Sequence, residues 1–192
     1  VTSSCGIGLC GSHRTGKTTT AQQLAVDKGL PFVETTTSAV FARHGLQPSS
    51  PMDFATRLWI QDKVLAAAEE IWAGHRCFIT DRTPLDMLAY TLADIQGRTA
   101  VDFVALERYA AGCFAATNHY FSHLCVVQPG IPLIAAPGKA ALNEAYIEHL
   151  NTLVLGLCLD ERQQVAFTVM PRHCTTLAQR CRFIQEKCFT PL

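Results

Sequence analysis

The chain has 192 residues, 48% of them hydrophobic and 17% charged. That is the composition of one globular domain, too apolar for a disordered chain and long enough to fold without disulfide or metal staples. Sixteen basic residues balance sixteen acidic ones, which argues against a protein that coats nucleic acid by bulk charge.

Residues 4–10 read as a strand and 16–28 as a helix. Pro31 to Val33 suits a short strand, and 36–44 a helix with Thr or Ser at its cap. Ser50 and Pro51 suit the cap and first turn of a long helix reaching about Gly74. Its Phe54, Leu58, Val64, Leu65, Ala68, Ile71 and Trp72 keep helical spacing. A strand over 76–80, helices over 84–95 and 100–118, and a strand over 124–128 follow. Residues 129–140 hold Pro129, Gly130, Pro132, Pro137 and Gly138, the composition of a loop. Helix 141–158, strand 164–169 and helix 175–187 complete the order. Such alternation predicts a single α/β domain over 1–192, with helices on both faces of a parallel sheet. Ligands bind such folds at the carboxyl ends of the strands.

The longest apolar run, Leu153 to Leu159, is far short of the ~20 residues a membrane span needs. The opening Val-Thr-Ser-Ser-Cys lacks the basic-then-apolar order of a secretory signal. The nine cysteines form no C-x-x-C, and Cys77 and Cys125 sit in apolar runs where a thiol packs as a small hydrophobe. Together these features predict reduced thiols and a cytoplasmic protein.

Gly11-Ser12-His13-Arg14-Thr15-Gly16-Lys17-Thr18 matches G-x-x-x-x-G-K-[ST] in full, between a predicted strand and a predicted helix. In that setting backbone amides turn inward around phosphates and the helix amino terminus adds positive potential. The predicted cradle runs from Gly11 to Thr19, with His13 as a spacer, Lys17 on the β and γ phosphates and the Thr18 hydroxyl on Mg²⁺. Gly6-Ile-Gly8-Leu-Cys-Gly11 also satisfies the dinucleotide fingerprint G-x-G-x-x-G. No strand precedes Gly6, however, so Gly6 and Gly8 read as positions inside the first strand. Asp81-Arg82 lies just past a buried strand. The carboxylate can orient Mg²⁺-bound water or accept a proton from an attacking hydroxyl, and the guanidinium can clamp an anion. A capping role for Asp81 at the helix near Pro84 is the bland alternative.

The phosphate loop is similar to that of thymidylate kinases, where an Arg often takes the place of Arg14. Asp81-Arg82 through Ala89-Tyr90 resembles their Asp-Arg…Ala-Tyr segment. More closely, the chain resembles phage and bacterial P-loop nucleotide kinases grouped as AAA-type ATPase-like domains. Their order is phosphate loop, Pro-Phe-Val-Glu strand, long helix with Arg and Gln, then Asp-Arg-Ser/Thr-Pro-Leu-Asp. Here Pro31 to Glu34, Arg57, Gln61 and Asp81 stand in that order.

The resemblance implies a three-layer, adenylate-kinase-like fold with a five-stranded parallel sheet, Mg-ATP as donor, and a nucleotide or nucleic-acid hydroxyl as acceptor. It implies that Lys17, Asp81 and Arg14 are catalytic, that Thr18 and Asp81 hold the metal, and that Glu34, Arg57 and Arg82 contact the acceptor. The family's lid carries arginine, whereas Pro129 to Ala140 has only Lys139, leaving Arg14 or Arg162 to supply the charge. The size, loop and reduced lid also resemble phage kinases that phosphorylate the hydroxymethyl group of 5-hydroxymethyluracil in DNA. That acceptor is preferred narrowly over a free deoxynucleoside monophosphate, with host cytoplasm as its setting; a nucleotide-driven switch is the third reading. A homodimer stays open.

Residues 170–192 carry Arg172, Arg180, Arg182 and Lys187 against Glu186, which reads as a solvated basic face. His119 and His123 stand four apart but straddle a helix-to-strand change, so they read as packed or surface histidines rather than a zinc pair.

Overall fold

The strands of the sheet send alternate side chains into two separate cores. The computed structural model describes residues 5–48, 50–134 and 143–189. Four parallel strands, β1 (Gly6–Cys10), β2 (Ile79–Thr80), β3 (Phe121–Val127) and β4 (Ala166–Met170), lie in the order β2-β1-β3-β4. The helices are α1 (Lys17–Lys28), α2 (Thr37–Arg43), α3 (Phe54–Ala73), α4 (Pro84–Ala93), α5 (Phe103–Tyr120), α6 (Glu144–Cys158) and α7 (Leu177–Cys188).

The five-stranded expectation is corrected at the edge. Pro31 to Val33 forms one parallel bridge, Phe32 to Ile79, in place of a strand. Val33 N–H donates to Ile79 O (2.8 Å) and Ile79 N–H donates to Pro31 O (3.0 Å). Proline has no N–H to extend that ladder.

Period-two alternation explains the two layers. Ile7 and Leu9 of β1, with Cys125 and Val127 of β3, pack against Leu24 of α1 and Ile184 of α7. Cys10, Leu124 and Val126 face the other way, into a larger core with Leu58, Trp72, Leu88 and Phe114. Gly6 and Gly8 are strand positions, as their failure to fit a dinucleotide fingerprint predicted. The chain passes from α5 directly into β3, which begins at Phe121, three residues before the predicted start.

Capping residues set the helix starts. α3 starts later than predicted: Asp53, not Ser50, is its cap, accepting from Thr56 N–H at 2.7 Å. α4 opens with Thr83 as cap, Pro84 in its first turn and a reciprocal Thr83–Asp86 capping box. Asp81 therefore has no capping duty.

Cys5 and Cys77 form a disulfide, Cα atoms 4.6 Å apart, which corrects the expectation of nine reduced thiols. The cause is register: Cys5 N–H donates to Arg76 O (2.9 Å), setting residues 5 and 77 side by side ahead of β1 and β2. The other seven cysteines are free, and all but Cys188 are buried. Among the described residues, no helix is long and apolar enough to cross a membrane.

Trp72 is the largest side chain with no solvent exposure. Its ring stacks on Phe78 (centroids 6.5 Å apart) and meets Phe121 edge-on (5.2 Å). Trp72→Ala should cost about 3–5 kcal/mol of folding stability, read as a lower urea midpoint with unchanged slope.

Candidate active site

The phosphate loop joins β1 to α1 at the carboxyl edge of the sheet. Two of its glycines are dictated by backbone geometry. Gly11 has φ +138°, and a Cβ there would stand 2.6 Å from Val127 O. Gly16 has φ +81°, and its Cβ would stand 2.7 Å from Arg180 Nη1. Arg14 also adopts a left-handed φ, +64°, a local cost of the tight loop. Thr15 Oγ1 donates to Ser12 O at 2.9 Å, closing the turn on itself. Lys17 Nζ reaches back over it, donating to Gly11 O (2.8 Å) and Ser12 O (2.6 Å). Burial pulls the Lys17 ammonium below its ordinary range; Asp86 and Asp81 work against that pull, and Arg82 with it.

Two residues that sequence reasoning left without a role hold this loop from beneath. Asp86 is 0% exposed. Its Oδ1 accepts from Gly11 N–H (2.7 Å), and its Oδ2 from Thr83 N–H (2.9 Å) and Thr83 Oγ1 (3.0 Å). Burial raises its carboxyl above the ordinary range, against Lys17, Arg82 and the bonds from Gly11 and Thr83. The visible signal was Thr-x-x-Asp before an apolar run, a helix-start signature that concealed the second partner. Arg180 is 3% exposed; its Nη1 donates to Thr15 O (2.5 Å) and its Nε to Cys174 O (2.9 Å). The predicted basic face on 170–192 is corrected accordingly. Arg180 is internal, and Arg172 forms a two-pronged pair with Glu148 (2.5 and 2.8 Å).

Past β2, Asp81 accepts a hydrogen bond from Thr18 Oγ1. These two hard oxygens, one a carboxylate, sit beside the loop as a donor set suited to Mg²⁺. Arg82 lies over the Tyr90 ring at 5.6 Å. Lys17, Thr18, Asp81, Arg82 and Arg14 border one cleft of ≈ 470 Å³. A second cleft of ≈ 370 Å³ is lined by Phe41, Arg57, Gln61 and Tyr146 among others. Arg57 Nε pairs with Asp94 at 3.0 Å, and its Nη1 donates to Pro48 O at 3.1 Å. His13, Arg82 and Tyr90 line both clefts.

Glu34 is solvent-exposed and lines neither cleft. Arg14 borders the phosphate cleft and donates to Ile134 O. Arg162 does not serve as a lid cation. It pairs with Asp160 at 2.7 Å, lies over Phe114, and its carbonyl binds Asn118 at the end of α5. That is the amino-terminal edge of β3, opposite the phosphate loop. Lys139 and the rest of the lid-like segment past residue 134 lie outside the described residues. His119 and His123 belong to different elements, and no cluster of three metal-ligating side chains occurs among the described residues.

A strand–glycine loop–helix at the carboxyl edge of a parallel sheet, with an Asp-Arg pair at the end of the neighbouring strand, defines a P-loop protein of nucleotide-kinase-like fold. The profile of the AAA domain family matches residues 7–124, more than half of the chain, and the chain belongs to that family. The structure is similar to deoxyadenosine kinase from M. mycoides with bound dATP, at 16% identity and TM-score 0.67, covering 97% of this chain and 100% of that one. Thymidylate kinase from Candida albicans is similar at 14% identity and TM-score 0.65, covering 96% and 90%. NadR protein in complex with NAD and AMP-PNP is similar at 11% identity and TM-score 0.67, covering 98% and 51%. At these identities the likeness is one of fold. No curated protein matches the sequence.

Replacing Asp86 separates its two duties. Asp86→Ala strands the Gly11 and Thr83 amides at about 1–3 kcal/mol each, so it should lower the urea midpoint and ATP-analogue affinity together. Asp86→Asn keeps an acceptor for Gly11 but removes the charge facing Lys17. It should weaken nucleotide binding with a smaller loss of stability, read by calorimetric titration beside the melt.

Proposed function

We propose that the protein is a Mg-ATP-dependent kinase that transfers the γ-phosphoryl group to an oxygen of a nucleoside-type acceptor, either a hydroxyl or the phosphate oxygen of a monophosphate. The observation that carries this reading is the pair of clefts sharing His13, Arg82 and Tyr90. One is built on phosphate-loop amides, and the other is apolar with a few convergent polar groups, the usual make-up of a small-molecule site. Phosphoryl transfer needs positioning and charge stabilisation more than covalent work by the protein. In this scheme the loop from Gly11 to Thr19 binds the triphosphate, Lys17 and Arg14 steady its charge, and Thr18 and Asp81 hold Mg²⁺. Arg82 faces both substrates. Arg57, with Gln61 and Phe41, receives the acceptor's base or sugar. Glu34, exposed beside the bridge at Phe32, enters only as a contact at the cleft's margin. The named substrates and ligands of the structural neighbours, deoxyadenosine, thymidylate and dATP, support this class of acceptor.

A free deoxynucleoside or deoxynucleoside monophosphate is the better-supported acceptor. Half of the tail's cations, which would favour DNA, are engaged elsewhere, since Arg180 is internal and Arg172 is paired. 5-Hydroxymethyluracil in DNA remains the second reading. The acceptor cleft shares its Arg57–Asp94 wall with a wider groove of ≈ 850 Å³ along residues 50–55 and 94–100, which gives flanking nucleotides a place to lie. The base would first have to leave the stack.

Incubation with Mg²⁺ and γ-labelled ATP should place label on a member of a panel of deoxynucleosides and monophosphates, identified by mass spectrometry. Label confined to hydroxymethyluracil DNA selects the second reading, and hydrolysis without transfer to any acceptor removes both. Lys17→Ala should lower transfer by roughly 10²–10³-fold and also lower the melting temperature, because it removes the charge facing buried Asp86 and the bonds to Gly11 O and Ser12 O.

A further inference from the structure

We infer that His13, through Nε2, takes the proton from the acceptor hydroxyl during transfer, an assignment that rests on the kinase reading with a hydroxyl-bearing acceptor, a nucleoside or 5-hydroxymethyluracil in DNA, and deepens it. The argument is one of position and elimination. Phosphoryl transfer from one cleft to the other has to cross the residues they share, and these are His13, Arg82 and Tyr90. Arg82 has donors only. The Tyr90 phenol is pushed up to about 12, chiefly by burial, and keeps its proton. Carboxylates are close but committed elsewhere. Asp81 accepts from Thr18 on the phosphate side and does not line the acceptor cleft. Asp94 lines it but is paired with Arg57. Glu34 lines neither cleft. Among the described residues at the crossing, His13 is the one proton acceptor.

The imidazole is also held. Its Nδ1 lies 3.1 Å from Tyr90 Oη, and its ring centroid is 5.9 Å from that of Tyr146 on α6. In the tautomer that this assignment requires, Nδ1–H donates to the phenol oxygen and Nε2 keeps its lone pair. The facing groups are Lys17 and Arg14 from the loop, Arg82 and Tyr90 from the Asp-Arg turn and α4, and Tyr146 from α6, with His149 behind it; Arg57 and Asp94 stand across the cleft. Burial first, then Lys17, Arg14 and Arg82, lower the imidazole from its ordinary 6.5, which favours the neutral form. The step then balances. The hydroxyl proton passes to Nε2 as an oxygen lone pair closes on the γ phosphorus. The bond from that phosphorus to its bridging oxygen opens, and its electron pair leaves on ADP. The imidazolium afterwards returns the proton to solvent.

His13→Asn is the decisive variant, because its amide can keep the Tyr90 bond while losing the basic nitrogen. Its single-turnover transfer rate should fall roughly 10²-fold, with the Michaelis constant for ATP changed by no more than about threefold. The wild-type rate should decline at acid pH as His13 protonates, and that limb should be missing from His13→Asn. Nitrogen-15 spectra of the wild-type imidazole should report the Nδ1–H tautomer at pH 7. A merely structural role would raise the Michaelis constant and lower the melting temperature without moving the acid limb. An active wild type with His13→Asn equally fast, an acid limb that survives the substitution, or an Nε2–H tautomer overturns the assignment alone. Label found only on the phosphate of a monophosphate overturns this assignment alone, and a wild type that labels no acceptor overturns the kinase reading and this assignment with it.

Discussion

A carboxylate sealed from water has to be answered by donors and counter-charge, and Asp86 is answered by three hydrogen bonds from two separate turns. One turn ends β1 and starts the phosphate loop; the other ends β2 and starts α4. The carboxylate therefore fixes how far Gly11 stands from Thr83, and with it how far the loop stands from Asp81, Arg82 and Tyr90. The meeting of Thr18 with Asp81 and the shared wall of the two clefts both depend on that spacing. Lys17 and Arg82 provide the opposing charge at close range, so the cations proposed to face anionic substrates also stabilise the scaffold.

The site is an alternation of charges. Lys17, Arg82, Arg14 and Arg57 stand against Asp81, Asp86 and Asp94, and no single sign dominates. A buried cation needs its partner to remain charged, and a transferred phosphoryl group needs cations that are not fully neutralised. Confining Asp86 beneath the loop meets both demands, because the acid does not compete for the space that phosphates would occupy. His13 differs from these groups in that its surroundings disfavour its charged form, and it stands where the two clefts meet.

Much of this was legible in the chain. Strand and helix alternation, the phosphate loop and the Asp-Arg pair all rest on local periodicity or fixed spacing, and the fold follows from them. Boundaries moved where local chemistry offered two choices. Asp53 won the α3 cap from Ser50, and Pro31 reduced a strand to a bridge. Long-range pairings were not legible. Nothing near Arg180 marks it as a ligand of Thr15 O, since a guanidinium donating to a carbonyl leaves no pattern in spacing. Arg162 looked available because its pairing with Asp160 only two residues away carries no sign of which edge of the sheet it occupies. The Cys5–Cys77 bond depends on strand register that composition does not report.

The contact between Arg180 and Thr15 joins residues 165 positions apart. During synthesis the glycine loop leaves the ribosome well before the guanidinium that braces it. A nascent chain ending before α7 therefore has the motif without its brace, and the loop is finished only once residue 180 has emerged.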